Sequence, residues 1–443
     1  MKWLQQIANA TPTAMAGRVS RIDGLVLAVR DFPAPIGALV EHPHPHNPPL
    51  CGEVVGFRGN ETVIFPFGSI QGVQRGDLVR LVASTQSIRV GRDLLGCVVD
   101  AHGKVLNRTE LPYLPDRIGL MDTAPLATER PRIEKPFTTG IRAIDGLMSC
   151  GRGQRLGVFA GSGVGKSVLL GMLARNSSAD VNVIALIGER GREVNEFIER
   201  DLGNTGARKS VVVVATGDEP AVLRVKAAFA ATAIAEYFCQ QGRHVLLMMD
   251  SVTRFSMAQR EVGLANREPP ATRGYPPSVF AILPQLLERA GNYSCGSITG
   301  FYSVLAESDD PNEPIRHAAR SALDGHIELS NELAARGHYP AIDVRPSVSR
   351  LMTDIASDSH IKAARQIRHT MAVYHEHRDL ISVGAYRQGS DPQVDVAIKM
   401  KPALDEFLRQ ELNAPSSWNE TIKKLEHLVT EIDSHSPEKT PNS

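Results

Sequence analysis

Ala160-Gly161-Ser162-Gly163-Val164-Gly165-Lys166-Ser167 is the stretch on which the fold turns. The apolar run Leu156-Gly157-Val158-Phe159 precedes it, and the helix-like run Val168-Leu169-Leu170-Gly171-Met172-Leu173 follows it. A strand, a glycine-rich turn and a Gly-Lys-Ser that opens a helix are the context of a phosphate-binding loop. Glycines let backbone N–H groups converge on phosphate oxygens, and the helix N-terminus adds partial positive charge. In such a loop Lys166 reaches the β- and γ-phosphates and Ser167 holds Mg²⁺. Ala160 stands where the usual pattern has its first glycine, and it is small enough for the turn. A glycine-rich turn with a surface lysine would not need the strand-to-helix setting, so the reading is nucleotide binding. The loop alone does not say whether the nucleotide is hydrolysed.

Working outward, strands alternate with helices from about residue 136 to 346. Residues 157–160, 181–187, 211–215, 245–249 and 298–305 form near-continuous apolar runs. Such runs between helical segments predict a mainly parallel sheet covered on both faces. Two of them end in carboxylates. Asp250 closes Val245-Leu246-Leu247-Met248-Met249, where it would hold the water shell of Mg²⁺ or else cap the next turn. Glu189 lies in Ile187-Gly188-Glu189-Arg190-Gly191-Arg192-Glu193. It could accept a proton from the attacking water, with Glu193 reaching a metal-bound water. A charged surface turn with local ion pairs fits the same spacing.

The flanks read differently. From about 16 to 84, short strand-like runs and glycine turns predict a small barrel, with Arg58-Gly59-Asn60-Glu61 as a hairpin turn. A proline-rich linker follows. After Leu351, Ile361, Ala364, Ile367, Met371 and Tyr374 recur at helical spacing, as core positions. The expected division is a barrel at 1–85, a nucleotide domain at 86–346 led by a linker at 86–135, a helical domain at 347–433, and a polar, disordered tail at 434–443. A chain of 443 residues is long enough for several domains.

Composition excludes some function classes. Lys plus Arg and Asp plus Glu balance at 49 each, so no overall field points to nucleic acid or an anionic membrane. Five scattered cysteines without a Cys-x-x-Cys pair signal neither a zinc site nor a disulfide framework, and fit a reducing cytoplasm. No apolar run has the length of a membrane span, and the start is too polar for a secretory signal.

The ordered set of motifs resembles the rotary ATP synthase α/β superfamily. It comprises the phosphate loop, Gly188-Glu189-Arg190-Gly191-Arg192-Glu193, Asp250-Ser251-Val252-Thr253-Arg254, and the run from Pro340 to Arg350. Within that superfamily, Gly274-Tyr275-Pro276-Pro277-Ser278-Val279-Phe280, Leu323-Asp324-Gly325-His326-Ile327 and Ala335-Arg336-Gly337-His338-Tyr339-Pro340 are similar to the ATPases of type III protein export. The resemblance runs from about residue 18 to 408. It implies an α/β fold with a central RecA-like P-loop domain, an N-terminal small β-barrel and a C-terminal helical domain, assembled as a homohexamer. ATP and Mg²⁺ are then the ligands. Gly161, Ser162, Gly163, Val164, Gly165, Lys166, Ser167 and Val168 would cradle the phosphates, with Arg190 and Arg254 around them. Ser167, Asp250 and Glu193 would serve the metal, Glu189 would activate water, and Tyr339 would stack on adenine. Arg350, in Ser347-Val348-Ser349-Arg350, matches an arginine finger supplied to the neighbouring subunit. Without the resemblance Arg350 reads as a surface arginine and Tyr339 as a core tyrosine.

Val194-Asn195-Glu196-Phe197-Ile198-Glu199 and Asp310-Pro311-Asn312-Glu313-Pro314-Ile315 look more flagellar than injectisome-like. The implied partners are a central coiled-coil stalk, a peripheral-stalk regulatory protein, the export gate, and export substrates or their chaperones. The implied place is the cytoplasm, at the inner-membrane export apparatus. Trp3, Leu4 and Ile7 could form the face that meets the regulatory protein, or a frayed terminus. The loop from Glu268 to Pro277 is similar to one that faces a ring's central channel. Two competing classes are weaker. A non-catalytic subunit would carry glutamine at position 189, and an RNA translocase would need a basic groove with stacking aromatics. His42-Pro43-His44-Pro45-His46 reads as a stiff loop before a metal site, and His375-Glu376-His377 as an exposed helix end.

Overall fold

The structure, a computed structural model, describes residues 15–43, 48–305 and 313–435. Trp3, Leu4 and Ile7, the histidines at 44 and 46, the segment 310–312 and residues 436–443 of the expected tail lie outside the described residues.

Alternating apolar residues close the first domain. Ala16–Asp23, Val26–Arg30, Leu39–His42, Leu50–Arg58, Glu61–Pro66 and Leu78–Ala83 form a closed barrel. Val19, Leu27, Val29, Val40, Val54, Ile64 and Val79 fill its interior. Arg58 pairs with Glu61 across a two-residue turn, and Gly59 there has φ +57°, the left-handed conformation a tight hairpin demands. His42 belongs to the barrel rather than to a free loop: it is buried, and its Nε2 lies 2.9 Å from Asp77 Oδ2.

The barrel is clasped to the next domain by polar contacts. Arg58 donates to the Ala265 carbonyl at 2.7 Å, and Asp23 receives Arg58 at 2.8 Å and Arg267 at 2.9 Å. The linker is partly ordered into strands. Ser87–Val90 pairs with Asp116–Gly119, while Val98–Val99 pairs in parallel with Ser210–Thr216 and covers that edge of the central sheet.

The central sheet runs Ile342–Ser349, Gly325–Leu329, Arg155–Ala160, Ser297–Leu305, His244–Asp250, Val181–Glu189, Ser210–Thr216 and Val98–Val99. The five apolar runs predicted as strands all lie in it, and all are parallel to one another. Helix Ala221–Gln240 is almost wholly buried against one face, its many alanines allowing a close approach. Helix Lys166–Asn176 packs on the other side with Ile184, Leu246 and Met248 in its core. Order 155–160, 297–305, 244–250, 181–189 places the phosphate loop, Asp250 and Glu189 at the same, C-terminal, edge of the parallel strands. That is where open α/β sheets bind ligands.

The expected domain division at 347 falls inside a strand. Ile342–Ser349 runs antiparallel to Gly325–Leu329, with Ser349 opposite Gly325, so the sheet continues to residue 349. Helices Asp358–Ser382, Pro392–Leu408 and Trp418–His435 then pack together and onto the short helix Arg142–Leu147. Ala364 and Ile367 are buried there, and Met371 and Tyr374 half-buried. His375-Glu376-His377 sits within the first of these helices, before its end.

Candidate active site

Strand Arg155–Ala160 is apolar and buried to its last residue, so the chain must leave the sheet at Gly161. Gly163 has φ +78° and Gly165 φ +89°, a conformation open to glycine. Gly165 caps helix Lys166–Asn176, whose first turn carries Lys166, Ser167 and Val168. Ser162 and Gly163 are exposed, Val164 is buried beneath the loop, and Gly161 lies beside the Asn331 amide. The loop backbone therefore opens to solvent above a fixed hydrophobic anchor.

Lys166 crosses to the neighbouring strand ends. Its Nζ lies 2.5 Å from Asp250 Oδ1 and 3.5 Å from Glu189 Oε1. Asp250 is 3% exposed and also accepts a hydrogen bond from Ser303 Oγ at 2.7 Å. Burial opposes the Lys166 charge, but Asp250 and Glu189 outweigh it and hold the ammonium above its ordinary range. Burial, reinforced by the Asp250 charge and opposed by Lys166, pushes the Glu189 carboxyl up to about 7. A carboxyl titrating near neutral pH is matched to general-base work.

Two polar atoms here are buried without a hydrogen-bond partner, Glu189 Oε1 and Arg254 Nε. Arg254 is placed by the N-terminus of helix Val252–Ala265, capped by Ser251, and its side chain lies along Gly188. Gly188 has φ +69°, and a Cβ there would come within 3.0 Å of Arg254 Cβ. An unpaired arginine donor beside a phosphate loop fits an anionic guest and an unpaired carboxylate oxygen fits a water, because leaving such groups unmade is costly. The nearby Glu193 adds to the raising of the Glu189 carboxyl, and Arg190 lies 3.8 Å from Glu193. Arg190 points outward, with its side chain 82% exposed, and the structure does not bring it to the loop.

For Mg²⁺ the donor set is one hydroxyl, Ser167, and carboxylates at strand ends. Among the described residues no group of three or more His, Cys, Asp or Glu side chains could hold a metal alone. That donor set suits an ion that keeps water and phosphate oxygens in its shell. Ser167, Asp250 and Glu193 fit it on those terms.

Tyr339 is 42% exposed rather than a core tyrosine. Its ring lies over the loop, 3.3 Å from where a Cβ on Gly165 would sit, and its carbonyl accepts from the Gln410 N–H at 2.9 Å. It is thus free to meet a flat group above the loop.

Arg350 lies elsewhere. It follows Ser349, which pairs with Gly325, and its N–H donates to the Asp324 carbonyl at 3.0 Å. Asp324 in turn binds Arg155, at the start of the phosphate-loop strand. The loop begins at the other end of that strand, about five residues or ~17 Å away. Arg350 is exposed on the far side of the sheet from its own chain's loop. Sequence reading did not single out Ser303, Asn331 or Asp324 as supports. Ser303 is the one with a signal, a hydroxyl within an otherwise apolar strand.

Comparison with known proteins agrees with this architecture. Residues 140–349 match the family model "ATP synthase alpha/beta family, nucleotide-binding domain". Residues 19–82 match its beta-barrel domain, and 356–427 match "T3SS EscN ATPase C-terminal domain". The chain is 46% identical over 415 residues to the flagellum-specific ATP synthase of Bacillus subtilis, covering 93% of this chain and 95% of that one. It is 47% identical over 422 residues to the type 3 secretion system ATPase of Xanthomonas euvesicatoria, covering 95% and 96%. Among solved structures it is similar to the assembled ATPase EscN of enteropathogenic E. coli, with TM-score 0.88 and 46% identity over 93% of this chain and all of that one. A second structure, EscN in complex with its central stalk EscO, gives TM-score 0.87 at 45% identity over 93% and 100%.

Proposed function

This chain belongs to the ATP synthase alpha/beta family as an ATPase of type III protein export, and we propose that it powers flagellar export as a homohexamer whose active sites are shared between neighbours. The observation that carries the shared site is the placement of Arg350. The loop, Lys166, Glu189 and Asp250 converge at one edge of the sheet, while Arg350 is exposed at the other. A head-to-tail arrangement brings the arginine of one chain to the loop of the next and closes into a ring.

The steps follow from the residues. ATP enters with its phosphates on the N–H groups of residues 161–168, and Lys166 exchanges its carboxylate partners for phosphate oxygens. Mg²⁺, held by Ser167 with water-mediated support from Asp250 and Glu193, would neutralise charge on the phosphates. Losing the Lys166 contact leaves Glu189 more basic, and its Oε1 takes a proton from the water whose oxygen bonds to the γ-phosphorus as the bond from that phosphorus to the β-phosphate oxygen breaks and ADP leaves with the electron pair. Arg254 and the neighbour's Arg350 offer donors to charge that develops on the γ-phosphoryl group. Tyr339 stacks on the adenine. Arg190, exposed at the same edge, is left to meet the adjoining chain.

Flagellar rather than injectisome service is supported by the motifs around residues 194–199 and 310–315; the flagellar and secretion-system relatives are equally similar in identity. The proposed partners are a central stalk in the channel, a regulatory protein at the N-terminus, the export gate and export substrates or chaperones. No described helix is long and apolar enough to cross a membrane, so contact with the export apparatus would be peripheral.

The test is specific activity against protein concentration, with mass measured by light scattering at each point. Activity should rise steeply as rings form. Constant specific activity through a range in which the chain is monomeric would refute the shared site. Deletion of the gene should abolish secretion of filament protein and motility; loss of host-directed secretion instead would assign the injectisome role.

A further inference from the structure

We propose that Asp324, through its pairing with Arg155, is the positioning residue that holds Arg350 in place for the neighbouring subunit. The inference rests on the reading of Arg350 as acting in trans. It concerns a residue outside the nucleotide site, on the opposite edge of the sheet.

Arg350 is the first residue beyond the strand Ile342–Ser349, so the ladder no longer fixes it. Its backbone N–H is held by the Asp324 carbonyl at 3.0 Å. Asp324 itself immediately precedes strand Gly325–Leu329, and both its backbone and its side chain are tied to neighbouring residues. That carboxylate is gripped from three directions by one residue. It receives Arg155 Nε at 3.1 Å, Nη2 at 3.2 Å and the Arg155 backbone N–H at 3.0 Å. The Asp324 N–H returns a bond to the Arg155 carbonyl at 2.9 Å. Gln154 completes the joint, donating to the Asp324 carbonyl at 3.3 Å and to Ser349 Oγ at 3.0 Å.

A planar fork on a carboxylate sets direction as well as distance, which a point charge would not. The Asp324 side chain is only 26% exposed and that of Arg155 17%, so the pair is sheltered enough for the geometry to be held. Arg155 also meets Glu288 Oε1 at 2.5 Å, which anchors the guanidinium from the far side. Arg155 is the first residue of the strand whose last residue enters the phosphate loop. One strand therefore carries the loop that binds this chain's ATP at one end and the support for the arginine offered to the next chain at the other. A shift of the strand on nucleotide binding would be delivered to Arg350 through this joint.

The experiment uses full-length chains in mixed rings. Asp324→Asn keeps an acceptor but removes the charge that holds the fork. Alone it should bind ATP within about twofold of the unchanged chain, while its turnover falls by about 10²-fold, the scale of a misplaced catalytic group. Mixed with Lys166→Ala, activity should return above the sum of the parts, because one class of interface then joins an intact loop to an intact finger. Mixed with Arg350→Ala, it should not return, because every finger is then defective. A residue that merely supported its own chain's loop or fold would give the opposite pattern, rescue by Arg350→Ala and none by Lys166→Ala, and that result would overturn the proposal. So would full turnover of Asp324→Asn alone. The mixture of Arg350→Ala with Lys166→Ala is the control. If that pair fails to complement in rings shown to be mixed, the trans reading itself falls, and this inference with it. Should Asp324→Asn melt early or fail to assemble, Arg155→Lys, which keeps the charge and loses the fork, is taken through the same crosses with the same expectations.

Discussion

Replacing Glu189 by glutamine separates the cost of burying a charge from the use made of it. The carboxyl lies among Asp250, Glu193 and buried strand ends, with Lys166 at 3.5 Å as its cation partner among the described residues. Burial first, and the Asp250 charge second, move it from 4.5 to about 7. Such a displacement is worth about 3 kcal/mol. The sign follows from linkage. An acid with a raised native pKa binds more protons when folded, so stability falls as pH rises from about 4.5 and the loss is complete above about 7. Glu189→Gln has nothing to ionise. At pH 8 the nucleotide-free variant should therefore resist urea better than the parent, by up to about 3 kcal/mol, and the advantage should fade towards pH 5. Its hydrolysis should be lower by ~10²–10⁴-fold, the usual share of a general base, with ATP still bound. The assay is urea unfolding followed by circular dichroism at pH 5, 6.5 and 8, alongside ATP affinity and turnover. Parallel pH dependences for the two proteins would refute the burial argument. Near-normal turnover would remove Glu189 as the base.

Other outcomes follow from the same geometry. Lys166→Ala should abolish hydrolysis and also weaken ATP binding, unlike Glu189→Gln, because Lys166 meets phosphates in the ground state; equal ATP affinities in the two variants would contradict this. Arg350→Ala should leave nucleotide binding intact while hydrolysis falls by ~10³–10⁵-fold, with partial recovery on mixing with Lys166→Ala. In the parent, kcat/KM for ATP should drop roughly tenfold per pH unit well below the Glu189 value of about 7, a slope absent from the residual activity of Glu189→Gln. Gly188→Ala should lower the melting temperature and reduce turnover together, since its φ of +69° and the Arg254 side chain both resist a Cβ; an unchanged melting temperature would show that the turn can relax.

Legibility in the sequence followed the physics of each element. The five inner strands are buried on both faces, so they appear as plain apolar runs, and the phosphate loop announces itself through clustered glycines directly before a Lys-Ser that opens a helix. The outer strands were hidden for a physical reason. Gly325–Leu329 and Ile342–Ser349 carry His326, Glu328, Asp343 and Arg345 on half-exposed positions, so their apolar content is diluted. Val98–Val99 is two residues long and sits in a linker. Within the site, Lys166, Asp250 and Glu189 each had a local signal, a loop or a strand end. Arg350 had none, because an arginine working for a neighbour is exposed in its own chain. Ser303 and Asp324 act through other side chains, and only the folded sheet brings them to their partners.

The closed barrel has one more consequence. A barrel has no unpaired strand, and the central sheet is guarded at its rims, at one side by the two-residue strand Val98–Val99 and at the other by a strand bearing Arg345 and Pro346. Neither the barrel nor the long rims of the central sheet therefore offers a neighbouring chain a free ladder to extend. In the proposed ring, a closed barrel leaves no strand of its own to exchange with the next copy, so subunits that separate take their barrels with them whole.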